Sequence, residues 1–292
     1  MENKLFEIKS LRCSYDKKYE EGVSKVVLEI NELNIPRGKK VFIVGESGIG
    51  KSTILETIGM MNNTIVTSPE TVFNFYVDQD NIIDLPSLWK SSNEKKLSDF
   101  RLKNYSFIFQ STNLMRNFTA YENVAFTRLL QGYTKFQCMQ RTSKLLCDLG
   151  LDHVDENRMA HELSGGQQQR LAFARAILPD FTVLFGDEPT GNLDGENAIK
   201  VMELLSNKLE DNNNASAIIV SHDMHLAVTF ADIIVKIRKE IRPKKNQDDE
   251  DVAYGVIDQD CIFQRDVEMS NKWSNGKISF EDLAFEDYLR KK

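Results

Sequence analysis

Nine consecutive residues, 45–53, have the types and the spacing needed to bind phosphate. They are Gly45, Glu46, Ser47, Gly48, Ile49, Gly50, Lys51, Ser52 and Thr53, and they fit the pattern G-x-x-x-x-G-K-[ST] without a departure. Glycines let several backbone N–H groups point at one phosphate, and a helix that starts here adds its positive end. In such a loop Lys51 can reach the β- and γ-phosphates of a nucleotide, and the Ser52 hydroxyl can bind Mg²⁺. The alternative is a chance glycine turn.

The sequence around this loop favours the phosphate-binding interpretation. Residues 41–44 are a short apolar run typical of a buried strand, and residues 52–61 have helical character. The order of strand, glycine loop and helix is the context that the pattern requires.

A pair of carboxylates follows a second apolar run. Residues 183–185 are apolar and lead through Gly186 to Asp187 and Glu188. Ligands of open α/β sheets bind at the carboxyl ends of the strands, which is where this pair would lie. We expect Asp187 to hold Mg²⁺, directly or through water, and Glu188 to polarise the water that attacks the γ-phosphate. An exposed acidic loop before Pro189 is the alternative.

Composition restricts the class of protein. The chain has 292 residues, 41% of them hydrophobic and 28% charged, which is ordinary for a soluble globular protein of one large or two modest domains. The formal net charge of −7 argues against nucleic acid as a partner, and none is expected. No stretch approaches the roughly 18 apolar residues of a membrane span, and the first residues lack the apolar core of a secretory signal. The four cysteines show no C-x-x-C spacing and are expected to be reduced thiols.

Strand and helix patterns alternate along most of the chain and predict a mostly parallel α/β sheet. The block from about 111 to 163 has a helical pattern and is interpreted as an inserted subdomain. Further on, the charged run 238–251 is predicted to be a solvated loop, and residues 254–257 are predicted to complete a hairpin with residues 233–237. Near the end, residues 279–282 resemble a capping box, which predicts a short docked helix.

A family context comes from residues 163–167, which are Leu-Ser-Gly-Gly-Gln. This LSGGQ segment, together with the phosphate loop and the two carboxylates, resembles the ATP-binding cassette (ABC) ATPases. Four further positions match that family: Tyr15 for the aromatic residue that stacks on adenine, Gln110 for the Q-loop, residues 191–194 for the D-loop and His222 for the switch histidine. A surface tyrosine near a turn is the alternative for Tyr15, and a satisfied polar residue is the alternative for His222.

The resemblance implies the fold and the domain boundaries. It implies a P-loop NTPase (RecA-like) α/β core sheet with an inserted helical subdomain, that is, an ABC nucleotide-binding domain over residues 5–257. The helical subdomain would span about 111–163. The Asp-Gly turn that is usual in the family is not visible after Ile237, so the charged run there is interpreted as an insertion over about 238–253. Residues 264–292 have no recognised counterpart in the family and would form a C-terminal extension with a short helix, either as a solvated appendage or as a docking site for a regulator.

The resemblance also implies a role for each candidate site residue, with ATP bound together with Mg²⁺. The residues expected to take part in catalysis are Glu188, His222, Gln110 and Lys51, and those expected to bind Mg²⁺ are Ser52, Gln110 and Asp187. Nucleotide contacts are expected from Tyr15, from residues 45–53 and, on the opposite subunit, from Ser164, Gly165, Gly166 and Gln167. In this family the LSGGQ segment closes over the ATP of a second subunit. The chain is therefore expected to pair with a second copy or with a paralogous ABC subunit, and isolated monomers are expected to be nearly inactive.

Short segments within residues 107–124 and 189–194 resemble a narrower branch, the lipoprotein-releasing and macrolide-export ATPases. The resemblance implies an ATP-hydrolysing subunit that is cytoplasmic, lies on the cytoplasmic face of a membrane and drives a separate integral membrane permease. A groove for a permease helix is predicted to be lined by Leu114, Met115, Phe118 and Tyr121; ordinary core of the helical subdomain is the alternative. Two departures from the family fall at tolerant positions, Glu46 in place of the usual Pro and Gly186 in place of the common Ala.

A soluble ABC ATPase that acts on nucleic acid or ribosomes is the second interpretation. DNA-repair members carry long coiled coils, and this sequence has no sustained heptads. Ribosome-acting members usually hold two cassettes, whereas this sequence has one phosphate loop and one LSGGQ segment. A non-catalytic cassette is disfavoured because Lys51, Asp187, Glu188 and His222 are all present.

Overall fold

The computed structural model of the chain describes residues 3–15, 26–91, 93–151, 158–211, 215–242, 252–266 and 268–291. The chain divides into two units, one that joins Met1–Leu97 to Val220–Lys292 and one that comprises Ser98–Ile219.

The strands are β1 (Lys4–Ser14), β2 (Val26–Pro36), β3 (Lys40–Val44), β4 (Ile65–Val66), β5 (Val72–Tyr76), β6 (Ile82–Asp84), β7 (Tyr105–Ile108), β8 (Val183–Asp187), β9 (Ser216–Val220), β10 (Ile233–Lys236), β11 (Arg238–Arg242), β12 (Val252–Ile257), β13 (Ile262–Arg265), β14 (Lys272–Ser274) and β15 (Ser279–Glu281). The helices are α1 (Lys51–Ile58), α2 (Leu85–Lys90), α3 (Glu94–Asn104), α4 (Ala120–Leu130), α5 (Lys135–Asp148), α6 (Gly165–Ile177), α7 (Gly195–Asp211), α8 (Met224–Phe230) and α9 (Asp282–Arg290).

One sheet of the first unit has the strand order β11-β12-β2-β1-β5-β6, with β4 paired to β1. Successive side chains of a strand point to opposite faces, so alternating apolar residues give the sheet one buried face. Phe6 of β1 packs there against Phe73 and Phe75 of β5, with ring centroids 6.4 and 5.2 Å away. All three rings are fully buried. The sequence patterns predict a mostly parallel sheet and do not predict this mostly antiparallel layer.

The first unit also contains the strands β15-β14-β13-β10-β3, in that order. Strand β10 runs parallel to β3, with Val235 opposite Ile43, and pairs on its other side with β13 in antiparallel fashion. The C-terminal extension therefore lengthens a sheet. Its aromatic residues bury one another, and Phe285 of α9 stacks on Trp273 of β14 at a centroid distance of 5.1 Å. The alternative of a solvated appendage is wrong for these residues.

Three local predictions for the C-terminal part are also wrong. Residues 238–242 form a strand rather than a loop, and β11, not residues 233–237, is the hairpin partner of β12. Pairing of β10 with both β3 and β13 leaves it no free edge for β12. The predicted capping box at 279–282 is absent, because Ser279 pairs with Ser274 in the β14–β15 ladder and α9 begins only at Asp282.

The second unit contains the strands β9-β8-β7 and the predicted helical block. Helices α4 and α5 confirm helical structure inside the block predicted at about 111–163. Both begin at a capping box, with Thr119 and Glu122 at the start of α4 and Thr134 and Gln137 at the start of α5. Over the residues that the structure describes in either unit, no helix is long and apolar enough to cross a membrane.

Candidate functional site

The phosphate loop connects the end of β3 to the start of α1. Gly50 is the N-cap of α1 and has a φ of 102°, which favours glycine because any side chain would strain the backbone. The Lys51 ammonium donates hydrogen bonds to the carbonyl oxygens of Gly45 at 2.9 Å and Glu46 at 2.7 Å. The Lys51 residue is only 6% exposed, so its charge is held against the loop backbone. The loop, the cation and the N-terminal turn of α1 form a cradle suited to an anion.

Tyr15 lies beside the first turn of α1. Its hydroxyl oxygen is 3.1 Å from the Thr53 Oγ1 atom and donates a hydrogen bond to the Glu56 carboxylate at 3.2 Å. Partial burial, followed by the charge of Glu56, raises the pKa of Tyr15, although the hydrogen bond with Thr53 opposes this. The Tyr15 residue is 54% exposed, so its ring remains accessible to a planar group such as adenine.

His222 occupies the turn between β9 and α8, close to the end of β3. The preceding Ser221 donates its backbone N–H to the carbonyl oxygen of Ile43 at 3.3 Å. The following Asp223 caps α8, because its carboxylate accepts the backbone N–H of Leu226 at 3.0 Å. These contacts fix the turn on both sides of His222 next to the strand that leads into the phosphate loop.

The second unit brings the predicted Q-loop residue beside the two carboxylates. Strands β7 and β8 run parallel, with Ile108 opposite Gly186. Gln110 and Glu188 each follow that pair by two residues, so both lie just beyond the carboxyl ends of neighbouring parallel strands. Glu188 has a φ of 49°, an unusual value for a residue with a side chain, and strain of this kind concentrates at functional sites.

The LSGGQ segment starts helix α6. Ser164 is the N-cap, its Oγ atom accepts the Gln167 N–H at 3.3 Å, and its own N–H is bound by the Gln167 side chain at 2.9 Å. A side chain at Gly165 or Gly166 would meet no atom of the described residues within 4 Å. There is room for a side chain at both positions, so packing within this unit does not explain why they are glycines. The capping role of Gln167 is visible in the sequence as S-x-x-Q, whereas the family resemblance implies only a nucleotide contact for this residue.

One residue that connects parts of the site was missed. Gln169 of α6 is 1% exposed and donates a hydrogen bond from its side chain to the carbonyl oxygen of Pro189 at 2.9 Å. It therefore fastens the LSGGQ helix to the chain that follows Glu188. The third glutamine of a polar run gave no signal of this contact.

The predicted site residues fall into three groups. The first unit holds the phosphate loop with Tyr15 and the turn that contains His222. The second unit holds Gln110 with Asp187 and Glu188, and separately the LSGGQ segment at the start of α6. Within the described part of the chain, no three His, Cys, Asp or Glu side chains form a preformed metal centre. A Mg²⁺ ion bound through one or two protein groups together with nucleotide phosphates needs no such centre. The Ser52 hydroxyl of the first unit and the Asp187 carboxylate of the second unit are each oxygen groups of the kind that binds Mg²⁺.

A family model and several known proteins are similar to this chain. A family model described as ABC transporter matches residues 28–191. The lipoprotein-releasing system ATP-binding protein LolD of Idiomarina loihiensis is 36% identical over 219 residues, which cover 74% of this chain and 90% of that protein. The macrolide export ATP-binding/permease protein MacB of Aggregatibacter actinomycetemcomitans is 36% identical over 80% of this chain, but the match spans only 33% of that longer protein.

Solved structures give the same fold. The dimeric structure of MJ0796, a bacterial ABC transporter cassette, has a TM-score of 0.67 and 30% identity, covering 80% of this chain and 94% of that chain. A dimeric post-hydrolysis state of the same cassette, bound to ADP and Pi, has a TM-score of 0.66 at 30% identity and the same coverage.

The chain therefore belongs to the ABC transporter family, as one of its ATP-binding subunits. Within that family it is an ATPase subunit of the type that LolD and MacB represent. These matches confirm the predicted fold class, the family and the ATPase activity, and they favour the transporter interpretation over a soluble ABC ATPase acting on nucleic acid or ribosomes.

Proposed function

We propose that two cassettes, either two copies of this chain or this chain and a paralogue, close on ATP and drive a separate integral membrane permease. Each ATP would lie between residues 45–53 of one cassette and Ser164, Gly165, Gly166 and Gln167 of the other. The observation that supports this most directly is the start of α6. Gly165 and Gly166 have open space around them, and a helix N-terminus without side chains there allows a phosphate of a second subunit to approach the backbone closely.

Within each site the residues have separate tasks. Lys51 and the loop N–H groups bind the phosphates, and the exposed ring of Tyr15 stacks on adenine. When bound, Mg²⁺ neutralises charge on the phosphates. Ser52, Gln110 and Asp187 are its proposed ligands, directly or through water. Glu188 orients and polarises the attacking water, and His222 contacts the γ-phosphate.

Loss of the γ-phosphate would reopen the dimer. ATP favours the closed state only through contacts that ADP cannot make, which is a shift of populations driven by differential binding. The closing and opening would move the permease from a position on the cytoplasmic face of the membrane, where we place this chain.

The permease would contact the segment between Gln110 and α4. Leu114, Met115, Phe118 and Tyr121 are all partly exposed, which supports a docking surface over a fully buried core. The Phe118 ring packs edge-on against Phe126, which is 37% exposed, at a centroid distance of 5.9 Å. An apolar surface of this kind suits the apolar face of an amphipathic helix.

The proposal is tested by measuring the mass of the purified chain in solution with ATP and with ADP. We expect the Glu188→Gln variant to form a stable dimer with ATP and Mg²⁺ and to remain monomeric with ADP. The tagged wild-type chain, purified from native membranes, should bring with it one integral membrane protein. A chain that stays monomeric with ATP contradicts the closure model. If the tagged chain is recovered with ribosomes or nucleic acid, the proposed permease partner is wrong.

A further inference from the structure

The ribbon formed by β11 and β12 lies against the phosphate loop and has no part in the function proposed above. Its two strands pair in antiparallel fashion, with Lys239 opposite Gly255, and β12 continues parallel to β2, with Gly255 opposite Leu28. The cross-strand pair Lys239–Gly255 contacts the phosphate loop at two separate points.

The first contact is a close approach of backbone to backbone. A Cβ atom at Gly255 would lie 2.3 Å from the carbonyl oxygen of Ile49 and 2.8 Å from the Ile237 Cγ2 atom, distances that a side chain cannot adopt. Gly255 is not among the glycines with positive φ, so the position requires glycine for space and not for backbone conformation. Ile49 is the central residue between Gly48 and Gly50, and it is only 4% exposed. The backbone of the phosphate loop at Ile49 thus packs directly against the backbone of β12 at Gly255.

The second contact is an ion pair. The Lys239 ammonium donates a hydrogen bond to the Glu46 carboxylate at 3.0 Å. Glu46 is the second residue of the phosphate loop, and its carbonyl oxygen also accepts the hydrogen bond from Lys51 at 2.7 Å. The pair therefore holds the peptide that positions the phosphate-binding lysine. Residues directly opposite each other in an antiparallel pair lie about 5 Å apart, so Lys239 and Gly255 can contact two points of the same loop.

We propose that Lys239 and Gly255 are positioning residues for the phosphate loop, and that the β11–β12 ribbon thereby sets the affinity of this chain for nucleotide. Neither residue touches the reacting atoms. A loop held in its binding conformation before nucleotide arrives loses less freedom on binding, so the ribbon acts on affinity more than on turnover. The proposal rests on the assignment of residues 45–53 as the nucleotide-binding loop.

The test measures the dissociation constant of ATP, KM and kcat for variants of the purified full chain. Gly255→Ala should raise the dissociation constant and KM by about 10-fold or more while kcat changes less, because displacement of the loop weakens binding in the ground state and the transition state alike. Gly195→Ala is the matched control, since a Cβ atom there meets no described atom within 4 Å and its φ is not positive. That control should leave the affinity for ATP unchanged.

The ion pair is tested by a double-mutant cycle on Lys239→Gln and Glu46→Gln. Both side chains are partly exposed, so each single change should weaken binding by only about 2- to 5-fold, and high salt should reduce the difference. The two changes together should weaken binding no more than either one alone. Because Lys239 is a surface residue, this cycle remains decisive if Gly255→Ala does not fold.

The outcomes separate this proposal from the proposed function. Failure of the wild-type chain to bind ATP would remove the nucleotide-binding assignment itself. If the wild-type chain binds and hydrolyses ATP, and a folded Gly255→Ala variant has the same affinity for ATP as the wild type, the positioning role is overturned. If the effects of Lys239→Gln and Glu46→Gln on the affinity for ATP are additive, the ion-pair contribution is overturned.

Discussion

The backbone carbonyl of Glu188 accepts a hydrogen bond from the N–H of Gly191 at 3.1 Å, and this tight turn keeps Glu188 at a φ of 49°. The carboxylate of Glu188 also lies close to Gly191, where an added Cβ atom would be 3.6 Å from the Glu188 Oε2 atom. The proposed catalytic carboxylate is thus held at the start of the predicted D-loop. A strained backbone at this position is maintained by the turn and not by the residue's own preference.

Replacing Glu188 by Gln should abolish hydrolysis without loss of ATP binding. The amide keeps the size of the side chain but cannot polarise water as a base, so kcat should fall by about 100-fold or more while the dissociation constant of ATP stays within about 2-fold. Glu203→Gln, an exposed substitution on α7, is the control and should retain wild-type rates. Hydrolysis by the Glu188 variant at the wild-type rate would show that another group performs this role.

Two inactive variants should restore activity when they are mixed. Gly166→Asp places a negative charge where the phosphates of the partner's ATP would lie, but open space around Gly166 means that the monomer should fold normally. Lys51→Ala removes the phosphate-binding cation from the other half of the site. A mixed dimer contains one intact site, with Lys51 from one chain and Gly166 from the other, so partial ATPase activity should return. The test compares the ATPase rate of each variant alone with that of equimolar mixtures. An inactive mixture argues against sites that are shared between subunits.

A charged residue at Phe118 should disconnect the cassette from the membrane. Phe118→Asp disrupts the apolar pair with Phe126, and we expect lost association with native membranes while basal ATPase activity of the purified chain persists. Leu283→Asp is the control, because Leu283 is 83% exposed on α9 in the other unit. Sedimentation with membranes, together with circular dichroism, separates lost docking from misfolding. An unfolded Phe118 variant would instead support the interpretation of these residues as core.

Glu7 should stabilise the first unit only above acidic pH. The Tyr76 hydroxyl donates a hydrogen bond to its carboxylate at 2.7 Å, and this bond, with Lys9 and Lys4, lowers the pKa of Glu7 from 4.5 to about 2. Because the pKa is lower in the folded chain, the stabilisation is present above pH 4.5 and is lost as pH falls towards 2. Glu7→Gln should reduce the free energy of unfolding at pH 7 by roughly 1 kcal/mol, allowing for solvent screening. Urea unfolding at pH 7 and pH 3 tests this, and a pH-independent difference would contradict it.

The C-terminal extension should contribute to the stability of the first unit. Phe285 is fully buried against Trp273, and its replacement by Ala should lower the free energy of unfolding by about 3–5 kcal/mol. Leu283→Ala on the same helix, at an 83% exposed position, should change it by less than about 0.5 kcal/mol. Thermal or urea unfolding of both variants measures the difference. Equal stabilities would mean that the extension is held only loosely.

The sequence by itself determined the chemistry and the local elements that present it. The loop at 45–53, the LSGGQ segment and the carboxylates after β8 are defined by residue types at fixed short spacings, and their structures follow from local rules for glycine, helix N-termini and buried strands. Only the tertiary structure decided how the C-terminal region is used. A charged strand such as β11 has no alternation of apolar residues from which it could be predicted. The contact between Gly255 and Ile49 joins residues that are far apart in the chain. Such a contact depends on the close packing of two backbones, and a sequence pattern records short-range order but not the space that remains between distant segments.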